Sequence, residues 1–205
     1  MRRLALLSLA VFVALAGQSQ ASPVEKTKYK FYPITGDTPG EIYGAMIRRG
    51  PDVNGVNAYA STSATSAQSG RMVLRGKSCH VDGYKFSIDF IINLPKLKNE
   101  AALTGTTAAK WSQFKSFLKT HEETHRSIWM GCAKTLEAQV KSLRNSDCKV
   151  LDKQAAQLWK KMRASCDSKH AAFDAAEQKR LIKHPFVRLV LNQRLSASKG
   201  LTVAK

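Results

Sequence analysis

A stripe of mainly apolar side chains recurs at steps of three and four residues through the second half of the chain. This spacing predicts one long helix that begins near Thr106. The segment RNSDCK interrupts the pattern, and a second helix is expected from about residue 150 to 181, before Pro185. Two long helices with a short connection predict an antiparallel helical hairpin. The stripe comprises Trp111, Phe114, Leu118, His121, His125, Ile128, Cys132, Leu136, Val140 and Leu143.

The first half of the chain alternates apolar and polar positions, as β-strands do. In the segment CHVDGYKFSIDFIINLP, the alternate residues Tyr84, Phe86, Ile88, Phe90 and Ile92 predict a half-buried strand. Strands are also expected in TKYKFYPI and in VNAYASTSATSAQSGRMVL. The predicted fold class is therefore α+β, in which a small antiparallel β-sheet packs on the long helix of the hairpin.

A short helix is predicted near residues 39–49 by the signals at its ends. Thr38 can cap it, Pro39 suits the first turn, Glu41 completes a capping box and Gly50 ends it.

The N-terminal segment MRRLALLSLAVFVALAGQSQA has the features of a secretory signal peptide, residues 1–21. Two arginines precede an apolar run, and Ser19 and Ala21 suit a cleavage site. The run is short for a bilayer span, and no later segment approaches that length. We therefore expect a secreted or periplasmic protein that is not transmembrane after cleavage.

Lysine and arginine outnumber aspartate and glutamate, 33 against 15, for a net charge of +18. We expect a single domain at residues 22–182 and a basic C-terminal tail at residues 183–205. No nucleic-acid-binding motif accompanies the charge, so no nucleic-acid partner is expected. The excess predicts a solvated basic surface or one that attracts anionic envelope polymers. A monomer is expected.

The stretch HEETH, residues 121–125, has the HExxH pattern and lies on the predicted long helix. His121 and His125 project from one face about one turn apart, so both imidazoles can bind one tetrahedral zinc ion. Glu122 would stand beside the metal, where it can take a proton from the attacking water. The alternatives are two core histidines bonded to carboxylates or carbonyls, and a structural metal beside an ordinary surface glutamate.

A zinc ion held by two histidines needs a third protein ligand. The pattern that places this ligand six residues after the second histidine fails, because that residue is Gly131. An antiparallel hairpin that turns near residue 149 brings the second helix opposite HEETH. The candidates are Asp174, Glu177 and His170, which share one face of that helix. One zinc ion per chain is expected.

Four cysteines in an exported protein suggest two disulfides. The hairpin register sets Cys132 opposite Cys166, which leaves Cys79 to pair with Cys148.

Five stretches carry a resemblance to a known family, and they occur in order over about residues 28–180. They are YPITGDTPGEIYGAMIRRGP, CHVDGYKFSIDFIINLP, WSQFKSFLKTHEETH, the cysteine in the helical turn, and AFDAAE. The chain resembles a bacterial family of predicted secreted zinc-dependent proteases, catalogued largely as a domain of unknown function. The resemblance implies a zincin-like domain with zinc at His121 and His125, and Glu122 as general base. It also implies a bridge from Cys79 to Cys148.

The last motif of that family departs from this sequence in two places. The family has a Tyr-Asp pair, then a threonine, then a His-Gly step. Phe173 and Asp174 stand at the pair, but Glu177 occupies the threonine position and Lys179 the histidine position. The resemblance therefore favours Asp174 as third ligand, ahead of Glu177 and His170.

The sequence predicts an exported zinc metallopeptidase of the HExxH type that acts on a peptide or protein substrate. An edge strand, such as one in NAYASTSATS, could pair with an extended substrate above the metal. The alternative is a non-catalytic envelope protein, stabilised by zinc and disulfides, that binds anionic polymers. The third hypothesis is a hydrolase that acts on peptidoglycan crosslinks.

Overall fold

The computed structural model describes the backbone of residues 23–202 and the side chains of residues 23–196. The predicted signal peptide lies outside the described residues. The elements are, in chain order, β1 (Val24–Ile34), α1 (Pro39–Arg49), β2 (Asp52–Val53), β3 (Val56–Asn57), β4 (Ser61–Arg75), β5 (Ser78–Leu97), α2 (Gly105–Ser142), β6 (Arg144–Asn145), α3 (Cys148–Lys183) and α4 (Pro185–Thr202). The predicted α+β class and the two long helices are confirmed.

The main sheet has the strand order β1, β5, β4, and the short strand β6 pairs with the start of β5. Strands β4 and β5 are antiparallel, but β1 runs parallel to β5. The sheet is therefore mixed. The prediction of an antiparallel sheet is wrong for β1, which runs parallel to β5. Helix α1 and strand β4 lie between β1 and β5 in the chain, and a connection of that length allows parallel pairing.

The helical hairpin of α2 and α3 packs against the inner face of the sheet. The alternating residues of β5 form that face, and Phe86, Ile88 and Phe90 are each 1% exposed. They contact Cys132 and Leu136 of α2 in one buried cluster. The alternation of β5 and the stripe of α2 are therefore the two surfaces of one core.

Helix α1 begins at the predicted capping box. The Thr38 side chain accepts a hydrogen bond from the backbone N–H of Glu41, and the Glu41 carboxylate accepts one from the N–H of Thr38.

Helix α4 occupies most of the segment predicted as a basic tail, residues 183–205. Its residues Phe186, Val187 and Val190 are at most 6% exposed and pack beside Trp111 of α2. The prediction is corrected there, because these apolar residues repeat at helical spacing between the basic ones and complete the core. Among residues 23–202, no helix combines the length and hydropathy needed to cross a membrane.

Both predicted disulfides are confirmed. Cys79 at the start of β5 is bonded to Cys148 at the start of α3. Cys132 of α2 is bonded to Cys166 of α3, which fixes the two long helices side by side.

Candidate metal centre

The two histidines of HEETH lie on the side of α2 that faces α3. Their Nε2 atoms are 3.1 Å apart, and the side chains are 20% and 15% exposed for His121 and His125. Phe173 of α3 packs against both rings, with centroid separations of 4.8 Å and 5.1 Å. The imidazoles are thus held between the helices with one nitrogen of each ring directed at the same point.

Asp174 of α3 completes a three-donor cluster. Its Oδ1 atom lies 2.9 Å from Nε2 of His125 and 3.4 Å from Nε2 of His121. Ligand atoms about 2.0 Å from a tetrahedral zinc ion are about 3.3 Å from one another. The separations of these donors, 2.9 to 3.4 Å, fit such an ion. In residues 23–196 these are the carboxylate and imidazole donors that converge on one point.

Glu177 and His170, the other two candidates, contact the opposite nitrogens of the histidine rings. The Glu177 carboxylate faces Nδ1 of His121 at 3.8 Å, and Arg180 binds it at 2.6 Å. Nδ1 of His170 lies 2.8 Å from Nδ1 of His125. Partners at these nitrogens fix the ring orientation and the tautomer of a metal-binding histidine. Asp174 is therefore the converging donor, since it contacts the Nε2 atoms of both histidines. Glu177 and His170 contact the Nδ1 atoms instead, and we call them the orienting residues.

Burial lowers the pKa of both His121 and His125, and the nearby Asp174 carboxylate opposes that effect. A lowered pKa favours the neutral imidazole, which is the form that binds a metal.

Glu122 contacts the start of β4. It is 4% exposed, and the Thr62 hydroxyl lies 2.8 Å from its Oε2 atom and 3.0 Å from its backbone oxygen. Burial raises the pKa of the Glu122 carboxyl to about 7, although the hydrogen bond from Thr62 acts against this shift. Sequence reasoning missed Thr62, because the Ser/Thr-rich segment that contains it has no spacing that singles out one hydroxyl.

Two adjoining cavities open beside the cluster, and His121, Glu122 and Asp174 line both. One has a volume of about 270 Å³ and extends toward the C-terminal end of α3. The other has a volume of about 390 Å³ and extends toward Trp129 and His170. The converging donors therefore lie at the middle of an open groove and can be reached by a molecule larger than water.

A known protein family covers the part of the chain that contains this site. The family described as "Bacterial protein of unknown function (DUF922)" covers residues 29–181. The chain belongs to the DUF922 family. Neither a curated protein nor a solved structure matches it. Because the DUF922 description states no activity, membership assigns no reaction to this site.

The DUF922 match includes the whole of the candidate centre. His121, Glu122, His125 and Asp174 all fall inside it, as do both disulfides. Helix α4 begins after its last residue and contributes to the core beneath α2 rather than to the converging donors.

Proposed function

We propose that this DUF922 protein is a zinc-dependent hydrolase of peptide bonds. The observation that carries the proposal is the convergence of three donor atoms at zinc-ligand separations, with the buried Glu122 carboxyl beside them. A structural zinc site is closed by four protein ligands, whereas a catalytic site has three and an open position. Three donors on an open groove favour the catalytic arrangement over the zinc-stabilised scaffold.

Zinc bound at His121, His125 and Asp174 would lower the pKa of a water molecule and polarise the substrate carbonyl. Glu122 then accepts the proton from the attacking water and delivers it to the leaving amine. Burial raises the pKa of this carboxyl, and the positive charge of a zinc ion beside it would oppose that shift and favour the carboxylate that accepts the proton. The Thr62 hydroxyl holds the carboxylate in place.

The edges of the sheet favour an extended substrate along β4. The β1 edge presents Lys26, Lys28 and Lys30, all exposed, and charged side chains discourage an added strand. The first ten residues of β4, residues 61–70, contain no charge and no proline, and among residues 23–202 β5 is the one strand that pairs with β4. A peptide added to this edge passes Thr62 and therefore Glu122.

Export and a basic surface belong to the same proposal. Two disulfides are typical of proteins in an oxidising compartment, which agrees with a secreted or periplasmic location. The net charge of +18 would draw the protein toward anionic envelope polymers.

The test is a combined measurement of metal content and cleavage on the purified mature chain. We expect about one zinc ion per chain, cleavage of a peptide library detected by mass spectrometry, loss of cleavage with a chelator and recovery with added zinc. A zinc-loaded protein that cleaves no peptide would contradict the proposal and support the scaffold.

The two disulfides are expected to differ in their effect on zinc. Replacing Cys132 and Cys166 with alanine frees the helices that carry the donors, so both zinc affinity and stability should fall. Replacing Cys79 and Cys148 should lower stability alone, because that bridge lies at the other end of the hairpin. Each loss of stability should be about 2–4 kcal/mol. Thermal unfolding without zinc and a competition assay with a zinc indicator measure the two effects. Equal zinc affinities in the two double variants would contradict this prediction.

A further inference from the structure

The smaller cavity of the groove has apolar walls. Phe117 and Leu118 of α2 and Leu181 of α3 form one side, and the segment 58–60 before β4 forms the other. His121, Glu122 and Asp174 also line this cavity, so a group that fills it lies beside the position where a substrate carbonyl would react.

The polar groups of Tyr59 and Glu177 on these walls already have partners. The Tyr59 hydroxyl contacts the Tyr43 hydroxyl, and the Tyr59 backbone oxygen accepts a hydrogen bond from Tyr32 at 2.6 Å. Arg180 holds the Glu177 carboxylate at 2.6 Å. The cavity therefore offers a guest aromatic and aliphatic surface, while the carboxylates that line it repel an acidic side chain.

The volume fits one large side chain. Its 270 Å³ is many times the ~10–15 Å³ that a cavity needs to hold one water molecule, so it has room for a large side chain. An alanine methyl group would leave most of this space to water. A leucine or phenylalanine side chain would displace much of that water and bury apolar surface.

We propose that this cavity is a specificity pocket for a large apolar side chain of the substrate, on a residue adjoining the scissile peptide bond. This inference rests on the proposed function and adds its substrate class: peptides with leucine-sized or phenylalanine-sized residues at the cleavage point. The polar half of the groove, lined by Ser61, Asp167 and His170, takes the chain on the other side of that bond.

The pocket can be tested by binding, without catalysis. Phenylalanine hydroxamate and alanine hydroxamate carry the same zinc-chelating group and differ in the side chain offered to the pocket. In zinc-loaded wild type, we expect the phenylalanine compound to bind at least about tenfold more tightly, because each methylene in an apolar pocket contributes about 10-fold or more. Isothermal titration calorimetry measures both affinities.

Two substitutions should remove this preference by filling the pocket. Leu181→Trp narrows it from the wall, and Gln178→Trp covers it from the exposed rim, so the second variant serves if the first does not fold. Ile182→Trp is the matched control, because Ile182 is the next residue on α3, is 54% exposed and does not line the cavity. The control should keep the preference, and affinity for alanine hydroxamate should stay within about twofold in all three proteins.

The outcomes separate this inference from the proposed function. Equal binding of the two hydroxamates to wild type, or an unchanged preference in folded Leu181→Trp and Gln178→Trp, overturns the pocket and leaves the zinc hydrolase intact. No binding of either compound by a protein that holds zinc overturns both, because the open metal position is then missing. If cleavage occurs, sequenced products should show leucine, phenylalanine or methionine beside the cut bond, and cuts beside acidic residues would contradict the pocket.

Discussion

Glu122→Gln is expected to reduce peptide hydrolysis by about 10² or more while zinc content stays the same. Glutamine has nearly the same size, and its side-chain oxygen can still accept the hydrogen bond from Thr62. It cannot accept a proton from water. The fold and the three donors are therefore preserved, and the lost step is proton transfer alone. Initial rates on a fluorogenic peptide, normalised to bound zinc, measure the effect.

The matched control is Glu123→Gln, one residue further along α2. Glu123 contacts Tyr29 and Lys119 on another face of the helix and does not line the groove. Its rate should stay within about twofold of wild type. Equal rates for wild type and Glu122→Gln would exclude Glu122 as the proton acceptor. Loss of zinc from Glu122→Gln would instead assign it a ligand role.

His121→Ala, His125→Ala and Asp174→Ala are each expected to abolish stoichiometric zinc binding. Removal of one of three protein ligands leaves two, too few to hold a zinc ion against a competing chelator. Zinc per chain after dialysis against a weak chelator measures the effect. The control is Asp152→Ala, a carboxylate of α3 far along the helix from Asp174 that does not line the groove, and it should retain zinc.

The two orienting residues should give intermediate effects. Glu177→Gln and His170→Phe keep the three converging donors but weaken the contacts at the Nδ1 atoms, so zinc affinity should fall about 10- to 100-fold. A loss in Glu177→Gln as complete as in Asp174→Ala would make Glu177 a ligand. No loss in either orienting variant would show that these contacts have no influence on the metal.

The helical hairpin could be predicted because residues close together in the sequence specify each helix and the turn between them. A stripe at helical spacing defines α2, and the pairing of Cys132 with Cys166 depends only on where the chain turns. The direction of β1 was not predictable in this way, because a strand's own residues do not specify the direction of its partner. Helix α4 was missed because its basic residues dominate the composition, although Phe186 and Val190 are four residues apart and both buried.

The register of the helical hairpin does not by itself identify the third ligand. Asp174, Glu177 and His170 all face α2, so a shift of one residue in the hairpin would change which of them meets the histidines. The predicted register brought all three residues opposite HEETH, and in the structure the Asp174 carboxylate is the one that contacts the Nε2 atoms of both histidines. The preference for Asp174 came from family position. Distances between atoms are what distinguish a converging donor from an orienting one.

The candidate centre draws its donors from two helices, α2 and α3, and the donor on α3 is far from HEETH in the sequence. A chain that ends before residue 174 would contain the whole HEETH motif and lack Asp174. Under the proposed function, such a truncated chain would bind zinc poorly and hydrolyse nothing, whatever the state of its α2 helix. Hydrolytic activity would therefore arise only in chains that have been synthesised past residue 174 and have closed the hairpin, and shorter products would not cleave neighbouring proteins.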